Sequence, residues 1–153
     1  MLAIDFLQYQ NNLKTRRDNG TRLLYDPIRR KYLVLQPEEL VRQLVIEYLI
    51  RDRCYKQNHI AVERLLVVNE RRKRCDILVY KKDNNYGLKP WLLVECKAPV
   101  VPVSKAAFRQ IATYNLSLQV EYLVVTNGRQ TYCCQMNYRE ESYVFLGEIP
   151  AAP

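Results

Sequence analysis

The chain has 153 residues, with 24 Lys and Arg against 16 Asp and Glu, a formal net charge of +8. That length fits one domain, and a chain of roughly 150 residues buries about 70% of its unfolded surface, so no disulfide or structural metal is needed for folding. With 48% apolar and 26% charged residues it is not a disordered chain. No run reaches the ~18 apolar residues of a membrane span, and Asp5 interrupts the start where a signal peptide needs an apolar stretch, so we expect a soluble, cytoplasmic protein.

The first ten or so residues and the tail Pro150–Pro153 read as loose ends of a single domain whose core runs over about residues 22–136. Residues 22–35 read as a hairpin, with arms Leu23–Tyr25 and Tyr32–Leu35 and a turn at Asp26-Pro27. Pro37 opens a helix, with Glu38 and Glu39 in the first turn, where the helix dipole favours acids. Leu40, Val41, Leu44, Val45, Tyr48 and Leu49 recur at helical spacing, and the helix ends near Arg51 or Asp52.

Three strands follow. Ile60–Val68 is rich in aliphatic and β-branched residues, and Asn69-Glu70 with the basic run Arg71–Arg74 reads as a turn. Cys75–Tyr80 is the second strand, Lys82–Lys89 a loop, and Trp91–Lys97 the third strand, apolar on both faces and so central. Pro99 and Pro102 end it, and Ser104 is placed to cap a second helix over roughly 105–118. Tyr122–Val125, the turn Asn127-Gly128 and Gln130–Met136 make a closing hairpin. The order is helix, three strands, helix, two strands: an α/β fold with a mixed sheet flanked by helices.

Five cysteines (Cys54, Cys75, Cys96, Cys133, Cys134) with no C-x-x-C argue against a disulfide framework or a zinc site and read as neutral buried thiols. A lone His59 excludes His-rich metal sites and leaves a Ser-His-Asp centre without support. The charge is lopsided. Residues 1–75 hold 16 basic and 9 acidic residues, a net of +7, against 8 and 7 in the remainder. That bias suggests an anionic partner, nucleic acid first. The densest runs are Arg71-Arg72-Lys73-Arg74, the candidate phosphate-contacting segment, and Arg29-Arg30-Lys31; either also reads as a solvated turn.

Asp76, Glu95 and Lys97 stand out because their strands otherwise look buried. Alternation puts Glu95 and Lys97 on one face. If the 82–89 loop is symmetric, Lys81 faces Pro90 and Asp76 lies directly opposite Glu95. Opposed carboxylates repel, and a divalent cation bound by their hard oxygens, Mg²⁺ or Mn²⁺, removes the problem. Lys97 would then orient or deprotonate a water, or stabilise charge developing on a phosphate. A structural Asp–Lys–Glu ion cluster is the alternative.

Residues 74–99, with Asp76 in one strand and Glu95-Cys96-Lys97-Ala98-Pro99 ending the next, resemble the PD-(D/E)xK nuclease signature. More narrowly, they resemble the N-terminal nuclease domain of the R subunit of type I restriction enzymes. The resemblance implies a restriction-endonuclease-like α-β-β-β-α-β core and a metal-dependent endonuclease acting on DNA. It assigns metal binding to Asp76, Glu95 and the main-chain carbonyl of Cys96. The family's helical Q-x-x-x-Y falls on Gln110 and Tyr114, and its first-helix metal-binding glutamate on Glu38, with Glu39 second. Glu38 and Arg42 also fit an ordinary i,i+4 ion pair. Tyr122–Gly128 resembles the family's next strand and turn. Cys75 stands where the family usually has Pro, and no G-x-x-x-x-G-K-[ST] occurs. The expected partners are therefore DNA and a separate motor or specificity subunit. A non-catalytic nucleic-acid-binding or assembly module that keeps the nuclease fold is the second reading.

Overall fold

The computed structural model describes residues 1–85 and 87–153; Tyr86, part of the expected 82–89 loop, lies outside them. A 3₁₀ turn, Phe6–Asn12, leads into β1 (Thr15–Asp18), β2 (Thr21–Asp26) and β3 (Lys31–Val34), and then α1 (Pro37–Arg51). After these come β4 (Ile60–Val68), β5 (Arg71–Asp83), β6 (Gly87–Cys96), α2 (Lys105–Leu118), β7 (Tyr122–Thr126), β8 (Thr131–Asn137) and β9 (Ser142–Phe145). Neither helix is long and apolar enough to cross a membrane.

Strands β1 to β3 form a small antiparallel sheet, and β4 to β9 lie in chain order in a second, six-stranded one. Only β6 and β7 run parallel, and a parallel pair needs a long crossover, which α2 provides. Helix α1 covers one face, against Ile77, Val79, Leu92, Val94 and Cys133. Helix α2 covers the other, against Leu78, Leu93, Leu123, Val125 and Cys134. Adjacent Cys133 and Cys134 thus point into opposite cores, as strand alternation requires. All five cysteines are free; Cys54 is exposed, the exception to the expected buried thiols.

Several expectations need correction. The 22–35 hairpin is part of a three-stranded sheet, because β1 adds to β2 through Asn19-Gly20, both at positive φ (46° and 81°). Asn-Gly is the commonest pair for such a two-residue turn. The basic run is no turn: Asn69 and Glu70 alone turn the chain (φ 48° and 64°), and Arg71–Arg74 begin β5, paired with Val68–Leu65. The Lys82–Lys89 loop is mostly strand, with Asp83 paired to Gly87. Ser104 occupies the N-cap position of α2, but its hydroxyl makes no capping bond.

The termini are not loose. Leu2, Phe6 and Tyr9 join the α1-side core, with the Phe6 and Tyr48 rings 5.4 Å apart, and the Leu2 amide bonds the Thr131 carbonyl. At the other end Ile149 is fully buried, Tyr55 Oη donates to the Pro150 carbonyl at 2.9 Å, and the Ala152 amide donates to the Arg53 carbonyl at 2.8 Å. Ile149→Ala is therefore expected to cost about 2–4 kcal/mol, the usual range for emptying a core site. Urea unfolding measures this; a loss under ~0.5 kcal/mol, typical of exposed positions, would restore the loose tail.

Candidate active site

The β5–β6 register places the site, by a different route from the one expected. Near the turn Lys81 faces Lys89, not Pro90. A bulge then inserts Trp91, so that Val79 faces Leu92 and Ile77 faces Val94. Pro90, which has no N–H for a ladder bond, sits at this irregularity. Asp76 and Glu95 are the next residues along the two strands. On the other side of β5, Val62 faces Ile77 and Arg64 faces Cys75; Glu63 between them drops out of the pairing with φ 52°. Alternation also breaks here, because Cys75 packs with Leu78 rather than on the opposite face. Three carboxylates, Glu63, Asp76 and Glu95, therefore stand abreast on three neighbouring strands, with Asp76 and Glu95 only 7% and 3% exposed.

Burying such a row requires cations. Arg42, from the buried side of α1, supplies one. Its Nη2 lies 2.6 Å from Asp76 Oδ1 and 2.7 Å from Glu63, and its Nη1 lies 2.6 Å from Glu39 Oε2. Glu39 also accepts from Arg29 at 2.7 Å and from Gln43 at 3.0 Å, and Arg29 pairs with the fully buried Asp26. The second oxygen of Asp76 accepts from the Cys96 amide at 2.7 Å.

Lys97 serves the other end. Its Nζ donates to Glu95 at 2.7 Å and to Gln110 Oε1 at 3.0 Å, and Gln110 Nε2 donates to Tyr114 Oη at 2.9 Å. Gln110 and Tyr114 sit one turn apart on α2 and act in series behind the ammonium. Lys73 Nζ lies 5.9 Å from the centre of the Tyr114 ring. Burial, and then the charges of Asp76 and Glu38, push the Glu95 carboxyl up to about 7, against the pull of Lys97. Burial and Asp76 likewise raise Glu38. Burial works against the Lys97 charge, but the bond to Glu95 outweighs it, and the ammonium is raised.

Asp76, Glu95, Lys97, Gln110 and Tyr114 are thus brought together at the end of β6. Glu38 acts on Asp76 and Lys97 from the first turn of α1, whereas Glu39 points into Arg29 and Arg42. The pairing within α1 is Arg42 with Glu39, in place of the expected Glu38–Arg42 pair. Of the basic run, Lys73 reaches the site's margin, and Arg71, Arg72 and Arg74 are exposed along β5. Sequence reading missed Arg42 as a partner of Asp76, and it missed Glu63 and the Asp26–Arg29 pair. An acid in the middle of the otherwise aliphatic Ile60–Val68 was the available signal for Glu63. Among the described residues, no three Asp, Glu, Cys or His side chains are gathered closely enough to hold a metal ion as they stand.

Two outcomes follow from this electrostatics. Glu95 binds its proton more tightly when folded (about 7, against 4.5 in its ordinary state), so its contribution is fully present below pH ~4.5 and lost as pH rises through 7. Chelator-treated protein should lose stability between pH 5 and 8, by up to about 3 kcal/mol. Glu95→Gln should flatten that slope, and an unchanged slope would assign it elsewhere. Arg42→Met strips Asp76, Glu39 and Glu63 of their shared cation and should cost about 3–5 kcal/mol in urea unfolding; a neutral effect would mean the three acids are stabilised otherwise.

Residues 37–150 match the family described as type I restriction enzyme R protein N terminus. No curated protein sequence matches. Among solved structures, a fragment assigned as the HsdR subunit of a type I restriction enzyme from Vibrio vulnificus YJ016 superposes with a TM-score of 0.52 at 19% identity. The match covers 76% of this chain and 24% of that one. At this identity the likeness speaks for the fold, a mixed sheet flanked by helices, and the chain spans about a quarter of that relative's length. With three quarters of its residues inside the matched region, the chain belongs to the family of type I restriction enzyme R protein N-terminal domains.

Proposed function

We propose that the chain is a metal-dependent DNA endonuclease domain of the PD-(D/E)xK type, hydrolysing phosphodiester bonds with Mg²⁺ or Mn²⁺. The observation that carries this reading is the join of the acidic row to Lys97. A buried carboxylate pair, Asp76 and Glu95, shares one end of a strand with an ammonium held by Glu95 and Gln110. A structural ion cluster needs no glutamine and tyrosine lined up behind its lysine.

The donor set fits a hard divalent cation. Asp76, Glu95 and Glu38 offer carboxylate oxygens, and the Cys96 carbonyl is a further candidate ligand. The raised Glu95 carboxyl marks a place short of positive charge. Each carboxylate oxygen has more than one lone pair, so the bonds Asp76 accepts from Arg42 and Cys96 leave acceptor capacity. A bound cation would polarise the scissile phosphate and lower the pKa of a water. Lys97 orients that water or stabilises the charge developing on the phosphate, while Gln110 and Tyr114 fix the direction of its ammonium. Lys73 at the site's margin, and Arg71, Arg72 and Arg74 exposed along β5, are the proposed phosphate contacts. DNA, and a separate motor or specificity subunit that presents it, are the proposed partners.

A second reading has its own observation in favour. Both oxygens of Asp76 are engaged and, among the described residues, no three-ligand cluster is formed, as in a non-catalytic nucleic-acid-binding or assembly module. Calorimetric titration of Mn²⁺ and Mg²⁺ into the wild type and an Asp76→Ala/Glu95→Ala variant, with plasmid nicking on the same samples, separates the two. Metal binding lost in the variant, with nicking by the wild type, supports the nuclease. Binding of DNA with neither metal uptake nor nicking supports the module. Lys97→Ala should slow nicking by roughly 10²–10⁴, the usual range for one acid–base group, while metal binding persists. Wild-type nicking by Lys97→Ala removes the role assigned to that residue.

A further inference from the structure

The small sheet carries charge out of proportion to its size. Residues 14–31 hold seven Lys and Arg and two Asp, a net of +5 out of +8 for the whole chain. Asp26 is fully buried and tied to Arg29. Among the described residues, Arg17, Arg22, Arg30 and Lys31 make no ion pair. Among the described residues these four cations therefore meet no acid.

Its register sorts the side chains. Arg16 faces Leu23, Leu23 faces Val34, and Tyr25 faces Tyr32. The Tyr25 amide bonds the Lys14 carbonyl, which extends the pairing by one step. Alternation gathers Lys14, Arg16, Asp18, Tyr25, Tyr32 and Val34 on one face, and Arg17, Arg22 and Lys31 with the fully buried Leu24 and Asp26 on the other. On the first face Lys14 and Arg16 are exposed, Tyr25 and Tyr32 are half-buried, and Val34 is 53% exposed. The two tyrosine rings lie 5.1 Å apart. The Arg16 guanidinium rests 4.0 Å from the Tyr32 centroid, and Lys14 Nζ lies 5.8 Å from that of Tyr25. Flat π surfaces and a stacked guanidinium are thus combined on this face with the exposed Lys14, while Arg17, Arg22 and Lys31 stand behind it.

We propose that this face of the small sheet binds single-stranded nucleic acid. Lys14 and Arg16 meet the phosphates, and unpaired bases stack on Tyr32, Tyr25 and the Arg16 plane. A duplex keeps its bases from such a platform and would use the cations alone. The surface lies N-terminal to the region matched to the family, which begins at residue 37. The proposal does not depend on hydrolysis.

The test is fluorescence anisotropy with labelled oligo-dT of about 15 nucleotides, a duplex of equal length, and anionic phospholipid vesicles as competitor, all in chelator. Oligo-dT should bind more tightly than duplex, with a log–log salt slope near −0.7 per phosphate contact. Tyr32→Ala and Arg16→Ala should each weaken it roughly tenfold, and Tyr32→Phe should restore binding. Lys14→Gln, at an exposed position of this face, should reduce the salt slope without altering thermal melting. Lys97→Ala should bind as the wild type does, which separates this surface from the proposed nuclease site. Absence of binding, equal affinity for duplex, indifference to Tyr32→Ala in a variant that melts normally, or displacement by vesicles in preference to oligo-dT would each overturn it.

Discussion

Three carboxylates abreast on adjacent strands repel one another, and in this sheet two of them are almost completely removed from water. The two cations that answer them differ in kind. The Arg42 guanidinium is planar, permanently charged and held by three acids at once, a fixed brace with almost no freedom left. The Lys97 ammonium stands on a flexible stem, 20% exposed, and is held by one acid and one amide. Replacing one of its bonds by a bond to water or phosphate disturbs little else. The same row is therefore rigid at the Arg42 end and adaptable at the Lys97 end. Under the proposed nuclease reading, the reacting group belongs at the adaptable end and its orienting scaffold at the rigid one.

The backbone is shaped around that row. The Trp91 bulge restores the register that sets Glu95 beside Asp76, and the indole it turns inward is held by Tyr55 Oη at 3.1 Å and by Lys81 3.4 Å from its ring centre. Glu63 takes a left-handed conformation, unusual for a residue with a side chain, at the point where β4 would otherwise pair opposite Asp76. A strained residue of this kind persists only where its surroundings hold it, and the 2.7 Å pair with Arg42 is such a hold. Lys97 leaves β6 beside the end of its parallel neighbour β7, its amide bonded to the Thr126 carbonyl. The open end of a parallel pair is where α/β sheets place ligands.

Both helices and the strands of the large sheet up to β8 were legible because each carries a period or a boundary: Pro37 and the aliphatic spacing of α1, the apolar run Trp91–Val94, the turn at Asn127-Gly128. Asp76, Glu95 and Lys97 were legible because charge in an apolar strand is conspicuous. Arg42 was not. A cation on a helix has many ordinary uses, and its role depends on a residue 34 positions away. The register shows how a local reading can reach a correct pairing by an incorrect route. A symmetric loop and a bulge-free strand lead to the same Asp76–Glu95 neighbours as a tighter turn with one residue inserted at Trp91. The termini were misread because short apolar segments without periodicity, such as Phe6 and Tyr9 or Ile149, declare themselves only through the surface they cover.

The relay of ion pairs gives the site a second dependence. Asp26 accepts from the Ile28 and Arg29 amides, at 2.7 and 3.1 Å, and so shapes the β2–β3 turn. Through Arg29, Glu39 and Arg42 that turn is linked without interruption to Asp76. The pose of the small sheet and the direction of the Asp76 carboxylate are thus set by one chain of charges, most of it screened from water. Charge pairs in such a place gain from low dielectric, and each loses heavily if one neighbour is removed. A change at Arg29, in the turn between β2 and β3, is felt first by Glu39, next by Arg42, and only then by the carboxylate at the centre. The three-stranded sheet is for this reason more than an appendage: it is the far anchor of the brace that keeps Asp76 beside Glu95.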